Sequence, residues 1–304
     1  MSNRDLSELA VVDVGASGGL CEPFASEKNI VAILFDPDMR APLPTEEEQC
    51  YGRAITFPVA LAKAEQTVRF YLAKDQECSS CLEPNLPIIN RYVYPERFHI
   101  TKGIDLQTQS LDHCLQSENI DPDFIKIDVQ GFEYDVLEGA KHSLKAACGL
   151  LLETEFEPLY TNQKLFPEIH HLLRASGFEL FDLQRCYYKR RLLGRPEQKG
   201  QLLFGNALYL RPPEKLSGWR ADKLKAMMRI YEMFGFFDCY EVARELLNMC
   251  DLPSIDIRSE PPMTFVRRKV YGLIGRVINI LQKVNASILW REPFGSSDKP
   301  FSNL

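Results

Sequence analysis

The strongest constraint on the fold is a recurrence: three short apolar strands each run into a turn that carries carboxylates or glycines. The clearest is Asp123-Phe124-Ile125-Lys126-Ile127-Asp128-Val129-Gln130-Gly131-Phe132-Glu133, which ends in two carboxylates around a glycine and is followed by a helical run over 134–140. Upstream, Val11-Val12-Asp13-Val14 leads into Gly15-Ala16-Ser17-Gly18-Gly19, and Ile30-Val31-Ala32-Ile33-Leu34-Phe35 ends in Asp36. Open α/β sheets bind ligands across the carboxyl ends of their strands. Three such ends in this order describe a doubly wound, mostly parallel, Rossmann-like sheet built to hold a nucleoside.

The rest of the chain alternates apolar runs with amphipathic stretches, as a parallel sheet covered by helices requires. The pattern predicts strands at 10–14, 30–35, 55–59, 123–128 and 148–153, with later ones at 178–183 and 202–210. It predicts helices at 20–27, 109–118, 133–146 and 164–176. Ser110 is placed to cap the second of these helices, and Gly177 to end the last. Between Ala60 and Asp105 lies an insertion with a strand at 68–72 and a Pro-, Asn- and Ser-rich stretch, Cys78 to Arg97, positioned to cover a site. Pro212-Pro213 separates a domain of residues 1–213 from a helical extension of residues 214–304, with helices predicted at 219–234, 238–249 and 264–290.

A chain of 304 residues can hold one large domain with an appendage. It has no apolar run of the roughly 18 residues that a spanning helix needs, and its first residues lack the apolar core of a signal peptide. The expected location is cytoplasmic. Nine cysteines, an odd number without paired spacing, favour reduced thiols. Cys78 and Cys81 form a lone C-x-x-C with no second pair or histidine at ligand spacing, which reads as a loop rather than a zinc site. Residues 1–213 hold 22 Lys/Arg against 31 Asp/Glu, and residues 214–304 hold 14 against 11. An acidic main domain argues against nucleic acid as a partner.

At the strand ends, Gly15 and Gly19 let the backbone approach a ligand where a Cβ would clash. Asp13 can bind an ammonium, and Asp36 can accept from both hydroxyls of a ribose. A dinucleotide site would show G-x-G-x-x-G, so that a helix N-terminus receives the pyrophosphate. Here the pattern is Asp13-x-Gly15-x-x-x-Gly19, acidic at its start and without the second glycine. That favours S-adenosylmethionine over NAD.

These segments, with Phe35-Asp36-Pro37-Asp38, Ser110-Leu111-Asp112, Leu137-Glu138-Gly139-Ala140, Leu152-Glu153-Thr154-Glu155-Phe156 and Pro158-Leu159-Tyr160, resemble the FkbM family of methyltransferases over roughly residues 9 to 210. Ser17 and Asp36 depart from that family's more usual Asn and Glu, each keeping its polarity. The resemblance implies a class I S-adenosylmethionine-dependent O-methyltransferase acting on a sugar, glycan or natural-product hydroxyl. Carried over position by position, Asp13, Gly15, Ser17 and Gly19 would meet the methionine portion of the cofactor, Asp36 the ribose, and Ala60 the adenine. Asp128 would stand next to the sulfonium and the acceptor.

A sugar hydroxyl is a poor nucleophile and profits from a positioned base. Asp128 is the first candidate, Glu133 the second, and Glu153 or Glu155 the third. Carboxylates at adjoining strand ends could instead hold a divalent cation that lowers the hydroxyl's pKa, the less favoured alternative. Glu133 reads equally well as a first-turn residue facing the positive end of a helix. Lys126, between two isoleucines, fits a buried ion pair. Of the histidines only His99 is kept as a candidate base, while His113 and His142 read as surface.

Residues 264–291 contain Arg267, Arg268, Lys269, Arg276, Lys283 and Arg291 and no acid, beside an apolar stripe at helical spacing. Such a segment packs on the domain, forms a homodimer, or lies peripherally on the inner face of an anionic membrane. From this arises a rival reading of another class, a catalytically inactive scaffold in a membrane-associated glycan-assembly complex.

Overall fold

The structure, a computed structural model, describes residues 8–17, 19–38, 40, 51–191 and 199–250. A seven-stranded sheet forms its centre. β1 (Leu9–Val14) and β2 (Ile30–Phe35) are buried at every position, which is why both read as unbroken apolar runs. β3 (Arg53–Phe57) lies outside β2, and the chain then leaves the sheet for an insertion.

The insertion holds β4 (Ala60–Leu61), β5 (Thr67–Ala73), α1 (Leu86–Ile89) and β6 (Ile100–Gln109). These three strands make a separate sheet in the order β4-β6-β5. β6 is absent from the expected elements because it is wet on both sides and carries no clean alternation. Ala60 therefore begins the second sheet instead of closing the third strand, which ends at Phe57.

After α2 (Leu111–Ser117) the chain returns beside β1 as β7 (Phe124–Ile127), continuing through α3 (Glu133–Glu138), α4 (Lys141–Ala146), β8 (Gly149–Glu155) and α5 (Phe166–Ala175). A hairpin of β9 (Glu179–Tyr188) and β10 (Gln201–Leu210) completes the order β3-β2-β1-β7-β8-β10-β9. The first five strands are mutually parallel and β10 is antiparallel to both neighbours. Strand order reverses between β1 and β7, which is where such a sheet opens a crevice.

Ser110 caps α2 by accepting the His113 N–H at 3.2 Å, and Gly177 follows α5 at φ +91°. The helix expected at 133–146 is two, broken at Gly139, where an added Cβ would fall 2.2 Å from the Ala62 carbonyl oxygen. No helix forms over 20–27. Pro23 contributes no N–H there, and the segment runs as successive turns closed on the Cys21 and Phe24 carbonyls.

One face of the sheet packs on α2 to α5 through Val12, Ile33, Ile125 and Leu152. The other, through Val11, Ala32, Phe124 and Leu208, packs on α6 (Ala221–Met233) and α7 (Phe237–Cys250), whose Met227, Ile230 and Tyr231 are fully buried. The helix expected at 264–290 lies outside the described residues. Among the described residues no helix is long and apolar enough to cross a membrane.

Candidate active site

A cavity of about 360 Å³ opens at the strand ends of the switch point. Gly15, Ser17, Asp36, Ala60, Asp128 and Glu153 all line it. A larger hollow of about 520 Å³ lies at the opposite ends of the strands, against Leu9, Asn29 and Asp123, and contains none of these residues. The carboxylates and glycine turn of the switch point gather at the smaller one.

Gly15 knits this end of the sheet together. Its N–H donates to the Phe35 carbonyl at 2.8 Å, and at φ +81° it passes so close to β7 that a Cβ would fall 1.9 Å from the Asp128 carbonyl oxygen. Asp36 accepts the Asp38 N–H on Oδ1 at 2.7 Å, which fixes the carboxylate beneath Ala60 and the end of β2.

Five expected site residues, Asp13, Gly19, Glu133, Glu155 and His99, stand elsewhere. Asp13 is fully buried, and the ammonium it meets is the chain's own: parallel register sets it beside Lys126, whose Nζ is 3.0 Å away. Burial pushes Asp13 up to about 6 against the pull of Lys126. For Lys126 burial opposes the charge, but Asp13 and then Asp128 outweigh it and hold the ammonium protonated. Lys126 also donates to the Gly15 carbonyl at 3.2 Å and so braces the glycine turn. Gly19 is in that turn, donating its N–H to the Ala16 carbonyl, but does not line the cavity.

Glu133 does not reach the cavity either. At the start of α3 its Oε1 accepts the N–H groups of Val129 (3.0 Å) and Gly131 (3.1 Å), committing the carboxylate to the turn after β7. Burial, and after it the Asp128 charge, pushes Glu133 up to about 7 despite those N–H groups. A buried acid raised in the folded state stabilises the fold fully below its unfolded value near 4.5 and loses that contribution as pH rises to about 7. Glu133→Gln keeps the acceptor and removes the titration. Its unfolding free energy is expected to lose a pH 4.5–7 decline on the order of 2–3 kcal/mol relative to wild type. Urea denaturation across that window checks this, and parallel curves for the two proteins would refute it.

The side chain that organises the cavity floor, Gln130, was not among the expected site residues. It sits at φ +55°, a left-handed conformation rare outside glycine. Its Nε2 donates to Asp128 Oδ1 and to Glu153 Oε1, each at 2.9 Å, and its Oε1 lies 3.1 Å from the Tyr160 hydroxyl. The two carboxylates are thus bridged by one amide. Burial, then the Asp128 charge, pushes Glu153 well above the ordinary range, which favours its neutral form. Glu155 is fully buried outside the cavity, its carboxyl likewise pushed well up by burial and then by Glu133.

The insertion supplies the roof through Gln76, Cys78, Arg97 and Phe98, while β9 and β10 add Tyr188 and Asn206. Arg97 donates to Asp75 (2.6 Å), Glu77 (2.8 Å) and the Tyr188 hydroxyl (3.1 Å). A polar residue interrupting the apolar run Leu202–Leu210 was the available signal for Asn206; nothing local marks Tyr188 or Arg97. His99 is exposed and outside the cavity, as His113 and His142 are. Among the described residues no group of three or more His, Cys, Asp or Glu is arranged to hold a metal ion.

Among the solved structures that resemble the chain are three methyltransferases. A methyltransferase FkbM from Methylobacillus flagellatus KT is 14% identical at a TM-score of 0.36, covering 67% of this chain, which spans only 44% of that one. A TehB-like SAM-dependent methyltransferase from Corynebacterium glutamicum is 12% identical (TM-score 0.31; 67% of this chain, 80% of that one). A SAM-dependent methyltransferase from Methanosarcina mazei is 11% identical (TM-score 0.31; 69% and 95%). No curated protein matches the chain. The model of the methyltransferase FkbM domain matches residues 13–180, from the end of β1 to the start of β9. That match takes in the glycine turn, Asp36, the insertion, the Asp128–Glu133 turn and Glu153, and by it this chain belongs to the FkbM methyltransferase family.

Proposed function

We propose that this chain is an S-adenosylmethionine-dependent O-methyltransferase whose acceptor is a hydroxyl on a sugar, a glycan or a related polyhydroxylated product. The observation that carries the reading is the convergence of the glycine turn, Asp36, Asp128 and Glu153 on one cavity at the switch point.

The residues present suit the cofactor. Asp36, with one oxygen fixed by Asp38, offers the other to ribose hydroxyls. Val59, Ala60 and Leu61 give an apolar wall for adenine, and Ser17 with the Gly15 backbone borders the methionine end. When bound, S-adenosylmethionine supplies a methyl group on a sulfonium sulfur. The protein's part is alignment of the acceptor oxygen and removal of its proton, since an in-line displacement gains most from positioning. Asp128 Oδ2 takes that proton, while Gln130 anchors Oδ1. Tyr188 and Asn206 offer hydroxyl and amide groups of the kind that hold a polyhydroxylated acceptor.

Calorimetric titration tests the cofactor first. S-adenosylmethionine and S-adenosylhomocysteine are expected to bind and NAD is not. Asp36→Ala is expected to weaken binding by about tenfold to a hundredfold, as loss of a charged hydrogen bond implies. A folded wild-type protein that binds neither ligand, or that binds NAD, would sink the reading.

A further inference from the structure

The exposed face at the end of β9 is basic and aromatic in an otherwise acidic domain. Segments 84–95, 183–191 and 199–207 together carry six Lys/Arg and no acid, flanked in sequence by Glu83, Glu96, Asp182 and Glu197, whereas residues 1–213 hold 22 against 31. The fold gathers these segments. The Val93 N–H donates to the Lys189 carbonyl (3.1 Å), the Arg191 N–H donates to the Arg91 carbonyl (2.9 Å), and Tyr92 bridges Arg190.

Strand periodicity then sorts the side chains. Cys186, Tyr188 and Arg190 turn inward, Arg190 onto Gln201 and the Tyr92 ring. Gln201 in turn donates to Glu157, below this surface. Arg185, Tyr187, Lys189 and Arg191 point outward as an exposed row, with the Arg185 guanidinium 5.9 Å from the Tyr187 ring. Across the bridge, Arg91 and Tyr94 extend the surface sideways. Tyr94 and Tyr187 are 65% and 47% exposed, among the most exposed large apolar side chains described.

We infer that this surface docks on an anionic phospholipid bilayer. Cations there gain from the negative surface potential, and tyrosines settle at the headgroup level with ring in and hydroxyl out. A broad patch two segments wide suits a surface better than a single bound anion. Stable peripheral attachment needs two signals, and the same chain carries another in the basic segment 264–291. The inference stands apart from the methyl-transfer reading, because none of Arg91, Tyr94, Arg185, Tyr187, Lys189 or Arg191 lines the cavity.

The test is co-sedimentation of the full chain with vesicles of phosphatidylcholine, with and without phosphatidylglycerol. To isolate this surface, the six cations of 264–291 are first replaced by glutamine. Binding to the anionic vesicles only, weakened by salt, is expected. Replacing Arg91, Lys189 and Arg191 by glutamine as well is expected to lower the partition coefficient about a hundredfold. Tyr94→Ala with Tyr187→Ala should lower it further at high salt, where the charges are screened. Circular dichroism and thermal unfolding of each variant establish that it is folded. Equal binding by the patch variant, equal binding to neutral vesicles, or no vesicle binding would overturn the inference. So would patch-dependent binding to a soluble acidic polysaccharide without vesicle binding, which would point instead to an anionic glycan.

Discussion

Asp128→Asn is expected to lower kcat by about 10²–10⁴-fold at saturating S-adenosylmethionine, while Glu153→Gln lowers it by less than about tenfold. The asymmetry follows from the upward push on the Glu153 carboxyl, which favours its neutral form. Both accept from the same Gln130 amide, and both line the cavity. Glu153 is buried beside the Asp128 charge and is pushed well above the ordinary carboxyl range. A neutral glutamic acid is mimicked closely by glutamine, which still offers an oxygen to the Gln130 amide. Asparagine at 128 removes the charge that would accept the hydroxyl proton. Because Asp128 shares the cavity with Gly15 and Ser17, affinity for S-adenosylmethionine must be measured alongside. A loss confined to binding would make Asp128 a ligand for the cofactor only. The reverse ordering, with Glu153→Gln the more damaging, would move the base to Glu153. It would then require activity to rise towards alkaline pH as that raised acid ionises.

The ease with which these groups were found in the sequence varies for physical reasons. β1 and β2 are buried on both faces, so burial alone dictates their composition and they read almost to the residue. The same burial placed Asp36 and Asp128 at strand ends, where a carboxylate in an apolar run is costly without a purpose. Asp13 has the same local appearance, yet its partner is Lys126. Only the register of two parallel strands, separated by more than a hundred residues, makes that pair. Glu133 likewise looks like a free acid until the turn after β7 closes on it. Gln130 escaped because its role depends on a left-handed backbone and on Tyr160, thirty residues away. The fold's second sheet was half legible: β5 shows an apolar run, whereas β6 is exposed along most of its length. α6 and α7 were placed within about two residues by their apolar spacing, but the spacing does not say that they cover the second face of the main sheet.

Arg211, just beyond β10, is expected to matter for stability as much as a large buried apolar residue. The guanidinium is largely buried, with no carboxylate paired to it among the described residues. Its three nitrogens donate to the carbonyls of Leu144 (2.5 Å), Ala147 (3.2 Å) and Ser176 (2.6 Å), and its plane lies 3.9 Å from the Phe178 ring centre. Those carbonyls are the C-terminal ends of α4 and α5, which a helix leaves unpaired and negatively polarised. One side chain therefore ties two helices to the end of the sheet, and the Tyr231 hydroxyl of α6 donates back to the Arg211 carbonyl at 2.5 Å. Burial lowers the guanidinium's pKa, so the charge itself is a cost, but three buried acceptors without a donor would cost more. Arg211→Met keeps the stacking contact and loses every donor. It should cost about 3–4 kcal/mol, lowering Tm by roughly 10 °C for a domain of this size. Arg211→Lys should recover less than half of that, because one ammonium on a flexible stem cannot serve three carbonyls in a fixed fan. Thermal and urea unfolding of the two variants decide the matter, and S-adenosylmethionine binding at low temperature should stay unchanged because Arg211 is remote from the cavity. An unchanged Tm for Arg211→Met would mean that water reaches these helix ends and that the guanidinium is not what closes them.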